Sequence, residues 1–217
     1  MSVSHERVDV FGEVFFVGFE CMEIKILSGK SILPYIEPIA QLRIHVFREF
    51  PYLYDGFIPY EKSYLKVYTE TTQSVIVALF DGDVLVGAST GLPMSEANDA
   101  FQQPFKNGNY DLRAIYYFGE SVLLKAYRGQ GWGHRFFEER EQFAHEQGHD
   151  ITVFCAVERS GSHHLCPEDY RSHHLFWRKR GYQPIPHMRC SFEWKDIDQI
   201  EETQKDLTFW IRELKGR

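Results

Sequence analysis

Residues 123 to 134 read Leu-Leu-Lys-Ala-Tyr-Arg-Gly-Gln-Gly-Trp-Gly-His, from Leu123 and Leu124 through Arg128 to His134. Gly129, Gly131 and Gly133 let a backbone approach a ligand closely, with Gln130 and Trp132 interleaved. The apolar run before them predicts a buried strand, and the apolar spacing after Gly131 predicts an amphipathic helix. The first N–H groups of a helix have no intrahelical acceptor. A strand, a glycine loop and a helix N-terminus therefore make a site for a diphosphate. The loop lacks the GK[ST] ending of nucleotide hydrolases, and its order is not the G-x-G-x-x-G of dinucleotide folds. The plainer alternative is a turn that merely lets a helix pack on a strand.

Arg128, Gly131 and Gly133, between an apolar strand and a helix, resemble the acyl-CoA-binding motif of the GNAT superfamily of N-acyltransferases. The segment Phe176-Trp177-Arg178-Lys179-Arg180-Gly181-Tyr182 is similar to that family's late helix. The order of elements expected over 22–195 also looks like the whole family topology. The resemblance implies that backbone amides from Gly129 to His134 hold the CoA diphosphate, with Arg128 flanking it. It implies that the strand at Leu123 and Leu124 pairs with the pantetheine arm, and that a bound amine attacks the thioester directly. Acetyl-CoA or a related acyl-CoA would be the co-substrate, and a small-molecule amine the acceptor. A catalytically silent acyl-CoA-binding module and an enzyme for longer acyl chains are the alternatives.

An alkylamine with a pKa near ~10.4 must lose a proton before it attacks, which calls for a general base. Glu120 is the single acid in the apolar run 114–124, and its place is similar to that of the glutamate base in several GNAT members. The alternative role is a carboxylate at a bulge, paired with an arginine. Many relatives carry a tyrosine four residues before the late glycine to protonate the departing thiolate. Here that place is Trp177, leaving Tyr170, Tyr182 or water. Arg171, Arg178, Lys179 and Arg180 could meet the adenosine phosphate or form a solvated helix face. His163, His164, Cys166, His173 and His174 have the residue types of a zinc site, but their spacing matches no standard finger, and no metal is expected. Cys155, in an apolar strand, is read as a small core residue. The aromatic segment 50–57 lies where the family builds acceptor pockets, and with Arg48, Glu49 and Asp55 nearby it could hold a polar, partly apolar amine, although packing against the sheet explains it at least as well.

These residues need a scaffold, and the chain supplies alternating strands and helices, an α/β (α+β) class with a mixed, mostly antiparallel sheet. Strands are expected at 23–28, 74–80, 84–90, 114–124, 151–157 and 188–195, with a bulge at Gly119. Helices are expected at 31–50, 61–71, 131–147 and 170–180, with 95–113 as a long connection. Asp198 and Glu201 read as a capping box opening a final helix over 198–214, whose stripe is Ile200, Leu207, Trp210, Ile211 and Leu214. That helix, in a segment 196–217, would pack on the domain or pair with a second copy in a homodimer. Residues 1–21 read as an N-terminal extension of the 22–195 domain.

The 217 residues carry 24 basic and 31 acidic side chains, a net charge of −7 that argues against nucleic-acid binding. Residues 1–113 hold 9 basic against 15 acidic side chains, and residues 114–217 hold 15 against 16, so an anionic ligand fits the second half better. Four cysteines without a CxxC pair fit a reducing cytoplasm, and no apolar run suggests a membrane span.

Overall fold

The computed structural model describes residues 5–8, 14–17 and 22–214. Two short strands, β1 (His5–Val8) and β2 (Val14–Val17), pair antiparallel with each other. The rest of the expected extension over 1–21 lies outside the described residues. β3 (Met22–Leu27) begins a seven-stranded sheet. Then come α1 (Ile36–Phe47), α2 (Ile58–Glu70), β4 (Val75–Asp81), β5 (Val84–Pro93) and α3 (Asp99–Asn107). β6 (Ile115–Leu123), α4 (Trp132–Glu146), β7 (Ile151–Val157), α5 (His174–Lys179), β8 (Gln183–Lys195) and β9 (Glu202–Glu213) complete it. The order is β3-β4-β5-β6-β7-β9-β8, with β6 and β7 parallel and the other pairs antiparallel.

The β4–β5 hairpin turns through Gly82, whose φ of +59° suits the first central position of a tight two-residue turn. Every β4 residue is buried, as a central strand covered by helices on both faces requires. Tyr68 of α2 and Phe101 of α3 reach one face of β6, at Gly119 and Tyr117. Phe137 and Arg140 of α4 reach the other, at Phe118. The 95–113 connection is not unstructured: Asn98 caps α3 by accepting the Ala100 amide at 2.9 Å, and α3 buries Phe101 and Phe105. The late helix is shorter than expected, His174–Lys179 rather than 170–180.

The C-terminal helix expected over 198–214 is corrected to a strand. β9 runs between β7 and β8, with Phe209 opposite Cys155 and Leu207 opposite Cys190. Lys205, Leu207 and Phe209 are buried at period two, and the capping-box neighbour Ile200 is 96% exposed. Residues 202–213 therefore belong to the domain's sheet and not to an appendage. The stripe expected to pack on the domain or pair with a second copy is, from Leu207 to Ile211, part of that sheet. Among the described residues no helix is long and apolar enough to cross a membrane.

Candidate active site

Two irregularities in the sheet open the site. β6 and β7 are in register only from Ile115↔Ile151 to Tyr117↔Val153, and no pairing continues beyond. The parallel strands part at their C-terminal ends, where open α/β sheets place ligand crevices. On the opposite edge of β6, the register with β5 shifts so that Gly119 and Glu120 face Thr90 alone, the bulge expected at Gly119. A Cβ on residue 119 would lie 2.3 Å from the Tyr68 hydroxyl oxygen, so glycine is required there.

The gap is a cavity of about 610 Å³, walled by Phe118, Glu120 and Leu123 of β6 and by Phe154 and Cys155 of β7. The aromatic segment supplies Phe50 and Tyr52, and the late region supplies Tyr170, His173 and Trp177. Arg159 clamps the aromatic segment, donating to the carbonyls of Pro51 and Tyr52, each at 3.0 Å, and to both Asp196 oxygens at 2.6 and 3.1 Å.

The glycine loop forms the floor. Gly129 and Gly131 have φ of +76° and +91°, the left-handed region that glycine enters without strain. Among the described residues, the amides of Gly129, Gln130, Gly131, Trp132 and Gly133 donate no backbone hydrogen bond, whereas the His134 amide donates to the Gly131 carbonyl at 2.9 Å. The Leu124 amide points at β5, donating to Val86 at 3.0 Å, so the Leu123 main chain faces the gap. Leu124 is buried beneath it. Gly133 lies against Phe176, and the His134 ring meets the Phe176 edge at 4.8 Å. Trp132 packs against the core, and the Gln130 side chain donates to the Ala126 carbonyl. Arg128 is engaged: its Nη1 and Nη2 donate to the Glu49 carboxylate at 2.7 and 3.0 Å, and its Nε to the Leu123 carbonyl at 2.9 Å.

Glu120 is buried, and its carboxylate sits 2.5 Å from Arg43 Nη1 and accepts from the Tyr64 hydroxyl at 3.2 Å. Arg43 Nε also contacts Glu61 at 2.5 Å, so one guanidinium serves two buried carboxylates. Burial opposes the charge on Arg43, but Glu120, Tyr64 and Glu61 outweigh it and raise its pKa above the ordinary arginine range. Burial pushes the Tyr64 hydroxyl up, with Glu120 acting in the same direction. Arg140, fully buried, donates to the carbonyls of Thr90 and Glu120, each at 3.1 Å, and fastens the bulge. Burial lowers its pKa to about 10.

The candidate proton donors separate. Tyr170 lines the cavity, and burial raises its pKa. Tyr182 is fully buried elsewhere, against Thr152 and Glu141. His173 also lines the cavity, and burial, then Arg128 and His174, lower its pKa. Arg180 is committed to Glu141 at 2.9 Å, whereas Arg178 lies over Trp210. Cys155 contacts the Tyr117 hydroxyl at 3.2 Å. His163, His164 and Asp198 bring one ligand atom each within 4.8 Å of one another, but His163 Nδ1 already accepts the Leu165 amide.

Sequence reading missed Arg43, Glu61 and Arg140, each carried on an apolar helical stripe. Arg43 follows Ile39 and precedes Phe47 at spacings of four, Glu61 precedes Leu65 and Tyr68, and Arg140 follows Phe136. A lone charge on such a stripe is the signal that was available. Glu49 stands beside the aromatic segment read as a candidate amine pocket, but nothing local signalled its pairing with Arg128, 79 positions away.

No protein-family model and no curated protein matches this chain. Solved structures do. A candidate acetyltransferase of the GNAT family from Desulfovibrio desulfuricans superposes with a TM-score of 0.56 at 10% identity, covering 90% of this chain and 100% of its own. An N-acetyltransferase from Staphylococcus aureus gives 0.55 at 12%, covering 89% and 99%. A candidate acetyltransferase from Salmonella typhimurium, solved with its cofactor acetyl-CoA, gives 0.54 at 12%, covering 90% and 95%. At these identities the likeness shows the fold, and the mixed seven-stranded sheet is that of those proteins.

Proposed function

We propose that this chain, which has the fold of the GNAT acetyltransferases, transfers an acetyl group from acetyl-CoA to the nitrogen of a primary amine by direct attack. The observation that carries the reading is the gap between β6 and β7 floored by a glycine loop whose amides from Gly129 to Gly133 donate no backbone hydrogen bond among the described residues. Those residues fit a CoA: the amides and Arg128 would hold the diphosphate, and the cleft-facing main chain of Leu123 would bond the pantetheine amides. When bound, acetyl-CoA supplies the activated thioester.

The chain's own groups then handle the amine. Glu120, at the cavity wall, would receive the ammonium proton, directly or through water. Arg43 and Tyr64 fix its carboxylate, and Arg140 fixes its backbone, so the acceptor oxygen is positioned before substrate arrives. Of the hydroxyls lining the cavity, Tyr170, on the late region, could return a proton to the thiolate, in place of the tyrosine replaced by Trp177.

The catalytically silent alternative draws on the same observations that restrain chemistry, the Arg43 contact on Glu120 and Trp177 in the tyrosine's place. A screen of primary amines with acetyl-CoA, reading released thiol and acylated product, separates the two. Turnover with any amine supports the enzyme, and CoA binding without turnover across the panel favours the silent module. Absence of CoA binding in titration calorimetry refutes both. Competition among acyl-CoAs of increasing length tests the acetyl preference.

A further inference from the structure

We propose that Glu49 is the carboxylate that recognises the acceptor's ammonium, and that Arg128 holds it in reserve until a diphosphate displaces it. The inference rests on the acyl-CoA reading above. Both side chains line the same cavity, joined through two hydrogen bonds at 2.7 and 3.0 Å. Arg128 and Glu49 are 39% and 38% exposed, and an ion pair that open to water contributes little. A diphosphate seated on the unpaired amides of Gly129 to Gly133 offers the guanidinium a more highly charged acceptor. The exchange therefore costs little.

Its consequence falls on Glu49. Of the nearby cations, Arg43 is committed to the buried Glu61 and Glu120, and Arg48 and Lys195 already share Asp55 at 2.8 and 2.5 Å. Once released, the carboxylate faces a cavity also lined by Phe47, Phe50 and Tyr52. A negative charge beside aromatic faces suits an ammonium on an apolar carbon frame, through ion pairing and cation–π attraction. The acceptor class is thus a cationic primary amine with an apolar body. The two substrates are linked: each one bound to the wild-type protein tightens the other, by the same factor.

Titration calorimetry with coenzyme A tests this on the wild-type protein, Glu49→Gln and Arg128→Gln, each with and without 2-phenylethylammonium as the cationic probe and 2-phenylethanol as its neutral counterpart. Glu49→Gln removes the competitor for Arg128 and should bind coenzyme A about two- to fivefold tighter than wild type, whereas Arg128→Gln should bind it more weakly. The ammonium should tighten coenzyme A about two- to fivefold in the wild type and leave Glu49→Gln unchanged, and the alcohol should act on neither. Unchanged or weaker coenzyme A binding by Glu49→Gln overturns the proposal. So does an ammonium effect that is absent from the wild type, survives in Glu49→Gln or is matched by the alcohol. If no variant binds coenzyme A, the acyl-CoA reading itself falls, an outcome distinct from binding that ignores Glu49.

Discussion

Arg43 and Glu120 stand 2.5 Å apart across the gap between α1 and β6, both side chains shielded from water. Removing one partner of a buried ion pair strands the other, at a cost of about 3–5 kcal/mol. Arg43→Met leaves Glu61 and Glu120 without their shared cation, so a loss of that size is expected in urea denaturation. Glu120→Gln keeps the Arg43–Glu61 pair and should lose less than half as much. If Glu120 takes the ammonium proton, the same variant lowers kcat by about 10² or more while coenzyme A still binds. Unchanged turnover would remove Glu120 from the chemistry and leave it a structural carboxylate.

The two glycines that shape the site should fail differently. In Gly119→Ala the new methyl meets the hydroxyl oxygens of Tyr68 and Thr90 at 2.3 and 2.5 Å, so overpacking of about 1–3 kcal/mol and a fall in Tm are expected. Gly131→Ala meets nothing within 4 Å but must hold φ at +91°, a backbone strain of about 1–3 kcal/mol. Its coenzyme A affinity should drop by more than that of Gly119→Ala, and calorimetry on the two variants compares them directly.

Acid should weaken the fold through His149. Its ring is buried beside Tyr116, and burial lowers its pKa below the ordinary 6.5, against smaller opposing effects from the Arg113 backbone and Asp150. As pH falls through 6.5 the unfolded chain takes up a proton that the folded chain refuses. The contribution is therefore whole above pH 6.5 and declines below it, toward the lower folded value. Urea midpoints at pH 7.5 and 5.5 should differ more for the wild type than for His149→Phe; equal differences would assign the acid sensitivity to other groups.

β9 should be indispensable. Phe209 is fully buried against Phe105, and Phe209→Ala should cost about 3–5 kcal/mol. Truncation after residue 198 removes the strand joining β7 to β8 and should yield insoluble protein. A terminal helix packed on the outside would be far more tolerant, so soluble, coenzyme A-binding truncated protein would contradict the sheet order.

Much of the site could be read from the chain because its signals are local. The strand, the glycine loop and the α4 start occupy one stretch, and the Gly119 bulge lies in the same strand as Glu120. β9 was misread because two periodicities overlap there. Leu207, Trp210, Ile211 and Leu214 satisfy helical spacing, while Leu207, Phe209 and Ile211 satisfy strand spacing. Lys205 disguised the second pattern: its stem is buried, and its ammonium donates to the carbonyls of Trp194 and Thr203 at 3.0 and 2.8 Å. The Arg43–Glu61–Glu120 cluster and the Glu49–Arg128 pair join residues far apart in sequence, and no periodicity encodes such meetings.

The position of β9 also orders the events of synthesis. β8 leaves the ribosome before the strand it pairs with, and β7 waits for the same late partner, so neither can complete its hydrogen bonding until residues 202–213 emerge. The cleft wall carrying Phe154 and Cys155 is therefore an open strand edge from its own synthesis until β9 arrives. A nascent chain stalled near residue 200 would expose that edge to its neighbours, making β9 the closing step of the cleft.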